Sequence, residues 1–131
     1  MAANPSFIST PRIGRVSLST VNTAVDGTGT INDLIVGASA GTRVLNVTVQ
    51  AAGSTAAALV NLFLWNGTTW DLFDQITISA ITGSNTTKAY RLVTAYTDLV
   101  LPSTTWKLGA TITVAPTTGT VRVAAFGGDL T

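Results

Sequence analysis

Hydrophobic and polar residues alternate along most of the chain, most cleanly on either side of Asn66-Gly67. Before that pair, Val60, Leu62 and Leu64 fall on one side of an extended chain, and Leu59, Asn61, Phe63 and Trp65 on the other. After it, Trp70, Leu72, Asp74, Ile76 and Ile78 share a side, against Asp71, Phe73, Gln75, Thr77 and Ser79. Period two marks a strand, because successive side chains leave opposite faces of a sheet. Asn and Gly tolerate the positive φ of a tight turn, so 59–79 predicts a β-hairpin. Gly67-Thr68-Thr69 permit a loop longer than two residues. A ladder closed by Trp65 and Trp70 would bring the two indoles together across the strands.

The same periodicity predicts strands over 13–20 (bent near Gly14), 30–36, 42–51, 87–96, 106–114 and 120–126, with a short extended corner ended by Pro102. Within them, Leu45, Val47 and Val49 read as inward and Asn46, Thr48 and Gln50 as outward. Leu34-Ile35-Val36 reads as buried on both sides, and 127–131 as a short tail. No segment has a 3.6-residue period. About eight strands at spacings near ten residues predict an all-β, antiparallel β-sandwich, jelly-roll-like, with the strand order left open. This domain, 13–131, is preceded by an extended arm, 1–12. Pro5 and Pro11 favour extended backbone there and remove donors. Phe7 and Ile8 are its apolar anchors for docking elsewhere; a frayed terminus is the plainer reading.

Composition narrows the chemistry. The chain is 131 residues with no cysteine and no histidine. Its acids are aspartates alone, six of them against seven Lys and Arg. Both signs are dispersed, so no nucleic-acid footprint appears. Nucleophilic and acid-base catalysis draw mainly on His, Cys and carboxylates. A Ser-His-Asp set or a His/Cys metal site cannot be built. Asp71 and Asp74 are the only close acidic pair, and three residues apart on a regular strand they point to opposite faces. We therefore expect no enzyme, no cofactor and no metal. Met1-Ala2-Ala3-Asn4-Pro5 has neither a basic nor an apolar signal region, and no apolar run reaches membrane-spanning length. No membrane partner is expected, and synthesis in the cytosol is. Charged residues are only 10% of the chain, against roughly 25% in typical domains. A Thr- and Ala-rich exterior of this kind suits wide burial against partner chains, or an ordinary monomer with a Thr-rich sheet. Trp65 and Trp70, with Asn66 and Asp71, form a candidate oligomer or ligand surface, where indoles stack on a sugar and polar groups bind its hydroxyls. The competing role for each tryptophan is in the core.

Three stretches, NPSFISTPRIGRVSLSTVNTAVDGTGTI (4–31), LFLWNGTTWDLFDQI (62–76) and VRVAAFGGDL (121–130), resemble the small β-sandwich head decoration, or cement, proteins of tailed bacteriophages. The distinctive pieces are the Pro-containing arm, the Asp26-Gly27-Thr28-Gly29 turn, the Asn66-Gly67 hairpin and the Phe126-Gly127-Gly128-Asp129 close. The resemblance implies a structural protein of the virion on the capsid exterior, made in the host cytoplasm. It implies a homotrimer that clamps neighbouring subunits of the major capsid protein. Our own candidates for capsid contact are Pro5, Phe7, Ile8, Pro11 and Arg12. The alternative is a tail or head-fibre component that binds a host surface glycan through the hairpin residues. A third reading is a sandwich module of an assembly unrelated to phage.

Overall fold

The computed structural model describes residues 8–130. Among them are nine strands and no helix: β1 (Ile8–Leu18), β2 (Asn32–Val36), β3 (Thr42–Ala52), β4 (Ala58–Trp65), β5 (Trp70–Ile78), β6 (Arg91–Ala95), β7 (Val100–Leu101), β8 (Lys107–Ile112) and β9 (Thr120–Leu130). They form two antiparallel sheets. The first, sheet A, has the order β1-β9-β3-β6, and β7 continues along β3 beyond β6. The second, sheet B, has the order β2-β8-β4-β5. The first four strands alternate between the sheets, β4–β5 and β6–β7 each stay within one, and the last two strands, β9 and β8, are inserted second in sheets A and B. This is the strand order of a jelly roll.

Alternation builds the core between the sheets. Val47 and Val49 of β3, Val121, Val123 and Ala125 of β9, and Leu108, Ala110 and Ile112 of β8 are buried there with Val60 and Leu62 of β4. Three register shifts alter the predicted faces. A bulge between Val44 and Asn46 turns Leu45 outward (41% exposed) and puts Val44 in the core instead. A shift between Asp33 and Ile35 buries Leu34 and Ile35 together and leaves Val36 exposed, so that run is not buried throughout. In the hairpin, Leu62 faces Asp74 but Phe63 faces Leu72, so Phe73 is the extra residue. One extra residue reverses the parity of everything beyond it. Asp71 therefore lies opposite Leu64 and Asp74 opposite Leu62, on the same side of the strand. Trp70 and Leu72 move to the outer side with Trp65 and Phe63. Both assignments correct the regular-strand expectation.

The ends differ as well. β1 starts at Ile8, not residue 13: Pro11 pairs with Gly128 and Arg12 with Gly127. Pro11 is tolerated because β1 is an edge strand, where a missing N–H breaks no ladder. Gly127–Leu130, expected as a tail, belongs to β9 and pairs with both β1 and β3. Only 1–7 remains for an arm, outside the described residues, and Pro5 and Phe7 lie there.

Candidate functional site

The two outer sheet faces have different fates. Sheet B is covered. After β1 the chain runs beside β8, where Val21 bridges Ile112, reaches Trp70 at Gly27, and returns over Gly109 at Ile31. Its turn is held by Asp26, whose carboxylate accepts from the Thr28 hydroxyl (2.6 Å) and backbone N–H (3.2 Å). Those bonds hold the Asp26 carboxyl below the usual range. Gly27 is at φ +88°, and a Cβ there would strike Trp70. Beneath this strap Phe63 is fully buried, yet it is not part of the inter-sheet core.

The hairpin tryptophans sit at the end of the covered face. Trp65 and Trp70 pair across the strands with ring centroids 5.3 Å apart and planes tilted by 52°. The Lys107 ammonium lies 5.6 and 5.2 Å from the two centroids and bonds Asp33 at 3.0 Å. The loop is Asn66–Thr69, and the Asn66 Oδ1 accepts from the backbone N–H of Thr68 and of Thr69, both at 3.0 Å. Its Nδ2 donates to Thr69 Oγ1 (3.2 Å) and Asp71 Oδ2 (3.4 Å). The structure thus brings Trp65, Asn66, Trp70 and Asp71 together. Their polar atoms close the turn, and the Trp70 ring packs on Gly109, whose hypothetical Cβ would be 2.8 Å from it.

Of the residues expected at a capsid contact, Ile8, Pro11 and Arg12 are among the described residues. Ile8 is half-buried and packs on Gly128. Pro11 is exposed. The Arg12 guanidinium donates to the Val36 carbonyl (2.8 Å) and to Asp129 Oδ1 (3.0 Å). Buried Thr42 donates to the same carboxylate oxygen at 2.8 Å. Arg12 thereby ties β1 to β2, β3 and β9.

Sheet A is different: among the described residues nothing covers its outer face. Cross-strand register sets its side chains in three rows. The first is Ser17–Arg122–Gln50–Arg91, the second Arg15–Ala124–Thr48–Val93, and the third Ile13–Phe126–Asn46–Ala95. Ile13 is 65% exposed, Val93 48% and Phe126 37%. Arg15, Arg91 and Arg122 have no carboxylate partner among the described residues, and none of the three rows contains an aspartate. Small Ala124 and Thr48 leave a groove of about 310 Å³ between Arg122 and Arg91, bounded by Phe126 at one end. The alternation of 120–126 sets Arg122, Ala124 and Phe126 apart from Val121, Val123 and Ala125, and that of 87–96 puts Arg91 and Val93 on one side, but alternation alone does not say which side is outward. What one sequence lacked was the strand order that sets Arg122 and Arg91 on either side of Gln50.

Among the described residues no three carboxylates gather closely enough to hold a metal ion. Comparison with known proteins gives no family model that matches the chain and no curated relative.

Proposed function

We propose that this chain is a structural protein of a bacteriophage virion, a decoration protein that binds the outside of the capsid and stabilises contacts between major capsid subunits. The observation that carries the reading is the uncovered outer face of sheet A. It mixes exposed Ile13, Val93 and Phe126 with three arginines and no carboxylate. Protein interfaces are enriched in arginine and aromatic residues and depleted of Lys, Asp and Glu. A broad sheet on a rigid sandwich suits docking onto a large surface. The resemblance of 4–31, 62–76 and 121–130 to decoration proteins points the same way. Binding that requires the assembled shell stabilises that shell by mass action. Self-association as a trimer would let several weak contacts act at once.

The test is uptake by undecorated phage heads, followed by sedimentation. Wild-type protein should co-sediment with heads, and Phe126→Asp should not, with its melting midpoint unchanged. Failure of the wild type to bind any head preparation, together with retention on a glycan array that needs Trp65 and Trp70, would move the function to the glycan alternative. The hairpin supports that alternative less well, because the Asn66 oxygen is spent on the turn and the Trp70 ring on packing.

A further inference from the structure

We infer that the groove between Arg91 and Arg122 on sheet A is a carboxylate-binding site, and that the partner docking on this face is an acidic protein surface which inserts Asp or Glu side chains there. The inference rests on the reading of sheet A as the docking face and names the chemistry of what it meets. Gln50 is the cross-strand partner of both arginines, so their Cα atoms are two strand spacings apart, about 10 Å. Both side chains are long enough to converge above Gln50 once Arg122 turns from Ser17, the β1 residue its guanidinium faces. Arg15 stands beside Ala124 in the next row, a diagonal neighbour of Arg122 at roughly 7–8 Å. Three like charges on neighbouring strands repel, and no acid of this chain relieves them among the described residues. An anion from outside would.

The donors are free to bind it. Arg122 makes only long contacts, 3.3 Å from Nε and Nη2 to the Ser17 hydroxyl, and the Arg91 guanidinium has no hydrogen bond among the described residues. Among the described residues neither guanidinium donates to Gln50 Oε1, and the Gln50 amide N–H groups go to the carbonyls of Ala51 (2.8 Å) and Tyr90 (3.4 Å). A guanidinium fork matches a carboxylate in two parallel hydrogen bonds. The flanking residues favour a protein over a nucleic acid. Phe126 is the one aromatic ring in the three rows, where base stacking would need a series, and Ile13 and Val93 offer apolar contact without a π-face.

The experiment is an NMR titration of the protein with a short polyglutamate peptide, repeated with single-stranded DNA and with sulfated polysaccharide. Polyglutamate should shift the arginine side-chain signals and bind more weakly as salt rises. It should lose about tenfold or more in affinity in an Arg91→Gln/Arg122→Gln double variant. Ala124→Glu, which places a carboxylate on the groove floor, should have the same effect without removing an arginine. The proposal is overturned if polyglutamate leaves the arginine signals unmoved, or if both variants bind it like wild type. It is also overturned if DNA or sulfated polysaccharide binds more tightly with the same arginine dependence. Head uptake is scored separately. Heads that take up wild type and double variant equally would overturn the carboxylate site and keep the decoration role. Arginine-dependent polyglutamate binding without head uptake would keep the site and remove that role.

Discussion

Asp129 shows how one residue joins three strands, β1, β3 and β9. Its carboxylate accepts from Arg12 and from buried Thr42. The Arg12 bond is the main cause that holds its carboxyl below 3.8, with Thr42 and the Arg12 charge adding to it against the opposing effect of burial. A depressed carboxyl pKa stabilises the fold above its unfolded value and loses that contribution as pH falls through the folded one. Stability should thus decline below about pH 4, and Arg12→Ala should flatten part of that acid slope. At neutral pH the same variant should cost about 1 kcal/mol, since the pair is partly exposed. Urea unfolding at a series of pH values measures both. Tyr96 behaves in the opposite sense. Burial first, and then the Asp74 carboxylate it donates to at 2.7 Å, push its phenol well above 10. The contribution of Tyr96 is complete below about pH 10 and is lost at higher pH as the phenol is forced to ionise. Tyr96→Phe should remove that alkaline decline, at a cost of about 1 kcal/mol at pH 7 for the lost hydrogen bond.

At the scale of elements, the strap and the hairpin depend on each other. Phe63 is fully buried on the outer side of sheet B, paired with Gly109, over which Ile31 of the strap lies. Phe63→Ala should cost about 3–5 kcal/mol in chemical denaturation, as for a core aromatic, although it lies outside the inter-sheet core. Gly27→Ala forces a side chain into positive φ and against Trp70, so it should destabilise by more than about 1 kcal/mol and raise amide exchange over 21–31. Equal protection in variant and wild type would show that the strap packs independently of that contact. Trp70→Ala should cost about 2 kcal/mol, less than a fully enclosed ring, because Trp70 is only half-buried.

For the molecule as a whole, charge and cover are distributed unequally between the two faces. Asp33, beside Gly109, lies on the outer side of sheet B and Asp26 on the strap above it, while the three outer rows of sheet A present arginine and exposed apolar residues and no aspartate. A partner approaching sheet A meets a basic, partly apolar surface on a rigid scaffold. Light scattering should give about three times the 13.4 kDa chain mass if the protein is the proposed trimer. A monomer mass would leave docking to sheet A alone and remove the contribution of multivalency.

Local pattern was enough for the all-β class, for most strands, and for the hairpin with its Trp65–Trp70 closure. Alternation in Val121, Val123 and Ala125, or in Val47 and Val49, records which side of a strand must leave water. The Asn66-Gly67 pair supplies the backbone freedom the turn requires. Those are properties of neighbouring residues. Long-range pairing decided the rest. The bulges at Leu45 and Phe73 shift parity by one residue, so Asp71, Trp70 and Leu45 exchange faces without any change in local sequence. Residues 8–12 and 127–130 look irregular singly and become strand through pairing, 8–12 with β9 and 127–130 with both β1 and β3. The arginine groove arises in the same way. Arg91 and Arg122 lie far apart along the chain, and only the jelly-roll order, which seats β3 between β9 and β6, brings them to either side of Gln50.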